Sequence, residues 1–396
     1  MKKSLLIYIL IFFIILIGLI MFKDTKQREN KTVVFWTLQL SSFENYINNI
    51  ISEFEKENPN VKIKWIDVPY SEGEKRTLAA ILTDNPPDLV NLTPDFSMLL
   101  AQKNALETIP KEKLEQFLPT LTETLKYNNK YFGIPFYATS AITLYNKELT
   151  NKEISTYDEL FDIKLNNAQT TMLNLAENDT LLKLLNKYDI NSPEKLTSQT
   201  SINLFKKIKY LYDENIIPKE SITQTHRDTL EKYMSEKLGY VVTGANFLTM
   251  IKENAPIVYE NTEIIPQLTG ITGKYDYSLM NFIIPKKSKN KENALKFALY
   301  FTNEKNQLKL AKMTTILPSN KKALEDDYFK IADESLQSKA RIISSKQLEN
   351  LQKPLKNIKN KKELNTLSSN YIQDMLINNV NIEKTLDNFA KDWQKL

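Results

Sequence analysis

Apolar and polar positions alternate in short, regular runs along most of the chain. Thr32–Thr37 (TVVFWT) is almost wholly apolar and reads as a buried strand. After it Tyr46, Ile47, Ile50, Ile51 and Phe54 recur at helical spacing, with Ser41 and Ser42 as candidate N-caps and Asn58-Pro59 as the stop. Val61–Val68 (VKIKWIDV) then alternates by two, as a strand does. Strand, helix and strand in immediate succession predict a βαβ unit, and so a parallel sheet with a right-handed crossover. A helix over 72–83, a strand over 88–92 and a helix over 96–106 extend this doubly wound pattern. Ligands of such sheets sit at the carboxyl ends of strands, here residues 37–41, 67–70 and 92–95. Trp36 and Trp65, inside strands, read as core, and Asp88, at a strand start, as structural.

The stretch Tyr131–Leu149 (YFGIPFYATSAITLYNKEL) carries no charge from Phe136 to Tyr145. Pro135 biases Ile134 toward an extended conformation, so the chain leaves the Gly133-Ile134-Pro135 turn straight. Such a run is either a strand buried on both faces or one that passes between two packed bodies. Further along, 179–187, 201–215 and 228–236 have helical spacing, while 238–243 and 264–266 read as short strands. Tyr277–Pro285 (YSLMNFIIP) is another apolar extended run, resembling Tyr137–Tyr145. From Lys321 onward the chain is helical, with Ile372, Met375, Leu376, Leu386, Phe389 and Trp393 on apolar stripes. The Lys-rich stretch over 353–362 reads as a solvated face.

Composition narrows the chemistry. The 396 residues suit two lobes better than one domain, and the net charge of +5 comes from a near balance of 53 basic and 48 acidic residues. No basic block resembles a nucleic-acid footprint. With no cysteine, disulfides, thiolate nucleophiles and cysteine-held metals are excluded. The single histidine, His226, lies in a polar run (TQTHRD) that reads as a solvated helix start, and alone it supports neither a histidine metal cluster nor a Ser-His-Asp triad. Neither a cofactor nor a metal is expected. Residues 1–23 begin with Lys2 and Lys3, and the uncharged run Ser4–Phe22 is 19 residues long. That length matches a bilayer core and lacks a small-x-small cleavage site, so an uncleaved membrane anchor is favoured over a cleaved signal peptide. The charged residues 24–31 form a linker, and the body is expected outside the cytoplasm.

Several segments in order carry a family resemblance. They are FWT, FEKENPNVKIKW, NPPDLVNLTPD and YFGIPFYATSAITLYNKEL, then TYDEL at 156–160, YMSEKLGYVVTG at 233–244 and the closing ILPSN at 316–320. Residues 32–396 thereby resemble the extracellular solute-binding proteins of ABC transporters, in the sugar-binding branch that includes maltose-binding protein. The resemblance implies an α/β, two-lobed periplasmic-binding-protein fold (type II-like). Each lobe would be a mostly parallel sheet flanked by helices, joined by a multi-segment hinge, with an N-terminal transmembrane helix. The first lobe would comprise 32–138 and 265–316, the second 139–264 and the helical 317–396.

The implied ligand is a mono- or oligosaccharide, bound in the cleft without catalysis and delivered to permease subunits by a monomer. Sugar sites combine aromatic faces with carboxylates, amides and hydroxyls. Asp95 falls where the branch places a carboxylate, an alternative being the N-cap of the helix from Phe96. Gln39 and Ser41 end the first strand, and the carboxylate that the branch carries near Leu40 is missing. Tyr137 and Thr139 lie on the crossing, with Thr139 where the branch has a glutamate. Asn246 and Phe247 stand where it has a stacking Trp, and Tyr70 and Tyr275 or Tyr277 offer replacement faces. These departures argue against maltose itself. The rival ligands are a glycerol phosphate-type polyol and a polyamine. The rival roles are a sensor without a permease and a glycan-active surface enzyme, the last needing two facing carboxylates.

Overall fold

The computed structural model describes residues 31–175, 177, 179–353, 355 and 360–396. The N-terminal run expected to form a membrane anchor lies outside them. Among the described residues no helix is long and apolar enough to cross a membrane. The chain separates into two compact units. The first holds the N-terminal part to Leu92 together with Asn104–Glu107 and Phe282–Phe301; the second holds Thr93–Lys103, Thr108–Asn281 and Thr302–Leu396.

In the first unit, β1 (Lys31–Leu38) runs parallel to β2 (Val61–Val68) from the pair Lys31/Val61 to Leu38/Val68, and parallel to β3 (Leu89–Leu92). The predicted βαβ unit is therefore present, with the helix Glu44–Glu57 as its crossover. Tyr46, Ile47, Ile50 and Phe54 form its buried face, as their spacing required. Phe35, fully buried on β1, meets Phe282, Phe297 and Phe301 edge to face at 5.6, 5.3 and 5.7 Å. Each such ring contributes ~1.5–3 kcal/mol of burial. Asp88 is structural, as expected: it accepts from the Val34 backbone N–H at 2.9 Å and the Ser288 hydroxyl at 2.6 Å. Trp36 and Trp65 are half-buried rather than core, and the Trp65 indole donates to Thr37 Oγ1 at 2.7 Å.

Ser41 and Ser42 do not cap the first helix. They begin a 3₁₀ turn (Ser41–Phe43), and the α-helix follows with no side-chain cap. Asp67, at the end of β2, supplies the acceptors instead. Its carboxylate receives the backbone N–H groups of Leu40 at 2.9 Å and Ser41 at 2.8 Å, plus the Thr37 hydroxyl at 2.6 Å. A carboxylate from the neighbouring strand satisfies the helix start better than a local serine, since it takes two donors at once.

The second unit splits the uncharged run at Ser140-Ala141. β6 (Ile134–Thr139) pairs antiparallel with β11 (Leu317–Pro318), and a hairpin of β4 (Lys126–Tyr127) and β5 (Lys130–Tyr131) precedes it. β7 (Ile142–Asn146) is the centre of a separate sheet between β8 (Tyr240–Thr243) and β9 (Thr262–Pro266). β7 is antiparallel to both, which corrects the expectation of a mostly parallel sheet here. β8 and β9, both antiparallel to β7, flank it on either side, so the sheet alternates in direction across its three strands. β10 (Ser278–Ile283) carries the chain from the second unit into the first. The helices Thr180–Lys187, Gln199–Asp213, Lys361–Ile377 and Ile382–Lys395 share one apolar core, and the predicted C-terminal stripe is buried in it. The TYDEL segment starts its helix through a capping box between Thr156 and Glu159.

Candidate functional site

The first unit brings three candidates to one sheet edge. Leu38 and Val68 are register partners, so the residues just beyond them emerge side by side. Gln39 is exposed and adopts a left-handed backbone (φ 54°), donating its N–H to Val68 O at 2.9 Å. Ser41 is exposed, with its backbone committed to Asp67. Tyr70, 53 % exposed, is the first residue of the helix Tyr70–Leu82. Arg76 on that helix pairs with Glu72.

In the second unit Asp95 lies in the first turn of the helix Pro94–Gln102, whose N-cap is Thr93. Its carboxylate, 58 % exposed, accepts from Lys361 Nζ at 2.6 Å, and the same ammonium reaches Asp179 Oδ2 at 2.9 Å. Asp179 is clamped by the Asn365 amide, which takes its backbone N–H at 3.0 Å and donates to its carboxylate at 2.7 Å. Burial opposes the charge on Lys361, but Asp95 and Asp179 outweigh it and hold the ammonium above its ordinary range. Burial likewise opposes ionisation of Asp179, and Lys361 and Asn365 reverse the direction, so its pKa lies below the usual carboxylate value. Lys361 belongs to the stretch read as a solvated face; its side chain is only 33 % exposed, because two carboxylates draw it in.

Tyr277 is half-buried, and its phenol pKa is raised by burial, with the charges of Asp95 and Asp276 adding to the shift. Asp276 pairs with Lys187 Nζ at 3.0 Å, and Lys187 also donates to Gln267 Oε1 at 3.1 Å and Lys274 O at 3.3 Å. Gln267 receives the Asp276 N–H and gives its own to Gln347 Oε1, while the Gln347 amide donates to Ser140 Oγ and Ala141 O, both at 2.8 Å. A closed polar network thus ties together the break between β6 and β7, the end of β9 and the start of β10. Tyr137 and Thr139 are half-buried on β6 just ahead of that break, and the Tyr137 ring meets Phe136 edge to face.

Asn246 and Phe247 form the turn after β8, where Asn246 is exposed and Phe247 half-buried. Phe247 packs edge to face on His226 at 5.3 Å, and His226 Nε2 lies 2.9 Å from Thr243 Oγ1. His226 does open its helix (His226–Met234), as expected, but is half-buried there rather than fully solvated. Burial lowers its pKa, partly offset by Glu177, whose carboxylate accepts the His226 backbone N–H at 2.6 Å.

Six candidates thus lie in the second unit, with Asp95 and Tyr277 near enough for the aspartate to act on the phenol, and three lie at one edge of the first. Sequence reasoning missed Asp179, Lys187, Asp276 and Lys361. Only Lys187 left a signal, as a cation closing the apolar helix that carries Leu181, Leu184 and Leu185.

A profile of bacterial extracellular solute-binding proteins matches residues 49–337. The multiple sugar-binding protein of Streptococcus mutans is 25 % identical over 316 residues, covering 71 % of this chain and 73 % of that one. The galactooligosaccharide-binding protein of Bacillus subtilis is 22 % identical over 310 residues, covering 71 % and 72 %. The crystal structure of the maltose-binding periplasmic protein of Listeria monocytogenes, in complex with maltose, superposes with a TM-score of 0.73 at 21 % identity, covering 92 % of this chain and 97 % of that one. The fold is accordingly the periplasmic-binding-protein-like α/β fold.

Proposed function

The chain belongs to the bacterial extracellular solute-binding protein family, and we propose that it is the extracytoplasmic substrate-binding component of an ABC importer, specific for a saccharide. The observation that carries the reading is the exposed carboxylate of Asp95, whose charge reaches the phenol of the half-buried Tyr277. A carboxylate accepts sugar hydroxyls and a phenol ring covers sugar C–H groups. The sugar and oligosaccharide ligands named for its relatives support the same class. Gln39, Ser41, Tyr70, Tyr137, Thr139, Asn246 and Phe247 complete the proposed contact set.

The rest of the reading belongs to the same proposal. Residues 1–23 anchor the chain to the membrane, and the lobes are 32–138 with 265–316 and 139–264 with 317–396. Segments near 139–141, 265–267 and 275–277 form the hinge, and the network through Gln267, Asp276 and Gln347 supports that role because it joins them. The protein acts as a monomer, binds without catalysis and hands its ligand to permease subunits. Ligand closes the hinge by differential affinity for the closed state.

A polyamine fits less well, because each of the three carboxylates already holds a lysine of this chain: Asp95 and Asp179 share Lys361, and Asp276 pairs with Lys187. A phosphorylated polyol fits less well for the converse reason, since both lysines are held by aspartates. Calorimetric titration with maltotriose, raffinose, galactotriose, glycerol phosphate and spermidine tests the choice. Saturable saccharide binding with no product is expected; binding of glycerol phosphate or spermidine alone would overturn the ligand class.

A further inference from the structure

Three helix starts in the second unit converge on one ion triplet: Pro94–Gln102 brings Asp95, Thr180–Lys187 follows Asp179, and Lys361 opens Lys361–Ile377. A lysine at the first position of a long helix is electrostatically unfavourable, because the cation faces the positive end of the macrodipole. Asp179, the N-cap of Thr180–Lys187, has a left-handed backbone (φ 68°), which aspartate tolerates better than most residues, and its side chain makes no cap hydrogen bond. The lysine does not serve the stability of its own helix, and the aspartate gives its carboxylate to the lysine and to Asn365 rather than to a cap hydrogen bond. Both make sense if the purpose is to hold one ammonium between two carboxylates, at 2.6 and 2.9 Å.

We propose that Lys361 is a specificity-determining residue: its ammonium fills the cation position between Asp95 and Asp179 from within the chain, so the site accepts neutral saccharides and rejects amino sugars. The proposal rests on the saccharide reading above. Two of the three N–H donors of Lys361 go to the carboxylates, and among the described residues the third has no acceptor and is open to a ligand hydroxyl. Asp95, more than half exposed, accepts from a second hydroxyl. A neutral sugar therefore finds a donor and an acceptor side by side without displacing anything. A sugar ammonium brought to the exposed face of Asp95 lies against the like charge of Lys361, which sits 2.6 Å from the same carboxylate, and reaches Asp179 only by evicting the lysine. Removing the lysine leaves an uncompensated carboxylate pair, which favours a cationic ligand.

The test uses the full-length chain and three variants, Lys361→Ala, Lys361→Met and Lys361→Arg. The neutral saccharide that binds best among maltotriose, raffinose and galactotriose is compared by calorimetry with its amino-deoxy analogue. Wild type should prefer the neutral sugar, and Lys361→Ala and Lys361→Met should shift the affinity ratio at least tenfold toward the amine, about 1.4 kcal/mol. Lys361→Arg keeps a cation between the aspartates and should retain the wild-type ratio. Melting curves of the variants confirm that they are folded. An unchanged ratio in both neutral variants, or equal wild-type affinity for the two sugars, would overturn the proposal while leaving saccharide binding intact. Failure of wild type to bind any saccharide would instead remove the reading on which it rests.

Discussion

Replacing Lys187 by methionine keeps most of the side-chain stem and removes only the charge and its donors. The side chain is 2 % exposed and its partner Asp276 is 14 % exposed. All three ammonium donors are used, on Asp276, Gln267 and the Lys274 carbonyl, so the substitution strands one carboxylate and frees two further acceptors. Removing one member of a buried pair costs about 3–5 kcal/mol. Asp276 keeps some contact with water, which places Lys187→Met near the lower end, at ~3 kcal/mol. Lys187→Met with Asp276→Asn removes both charges and should recover all but ~1 kcal/mol, since an ion pair is worth little more than a neutral filling of its space. Urea unfolding of wild type, both single variants and the double at pH 7 gives the cycle. The singles should be strongly non-additive. A single Lys187→Met loss under ~1 kcal/mol, or additive losses, would show that the pair is not what organises this network. Burial lowers the Lys187 pKa in the folded protein, so between that value and 10.5 the unfolded chain binds more protons. Stability should therefore gain from this residue as pH rises through that window, and the gain should vanish in Lys187→Met.

Three further outcomes follow from the remaining sites. His226 has a folded pKa below 6.5, so wild type should lose stability as pH falls from 6.5 through the folded value, and His226→Gln should lose less; parallel melting-temperature profiles from pH 7.5 to 5 would refute this. Asp67→Ala should destabilise by about 1–2 kcal/mol in urea, the cost of losing a helix-start acceptor, and a loss of saccharide affinity without that destabilisation would contradict its structural assignment. Asp95→Asn should weaken saccharide binding by about tenfold or more with little change in melting temperature, because the residue is exposed and its pairing is worth at most ~1 kcal/mol; unaltered affinity would remove it from the site.

The local pattern of the sequence determined the elements. Alternation in Val61–Val68, helical spacing from Tyr46 to Phe54 and the Thr156/Glu159 pair each dictate backbone conformation through neighbours a few residues away. The order of motifs was enough to indicate the family. Tertiary structure alone decided which polar groups meet. The uncharged run over 136–145 divides at Ser140-Ala141 because its halves pair with different strands, which an uninterrupted apolar pattern cannot signal. Asp67 lies in one of the strand-end stretches where a ligand was expected, and its carboxylate is consumed by the helix start beside it. Lys361 looked solvated, yet it bridges Asp95, 266 residues away in sequence, and Asp179, whose following helix shares an apolar core with the helix that Lys361 opens. Secondary structure depends on short-range sterics and hydrophobic period, both written locally. Charge pairing depends on distances that exist only after the core has formed.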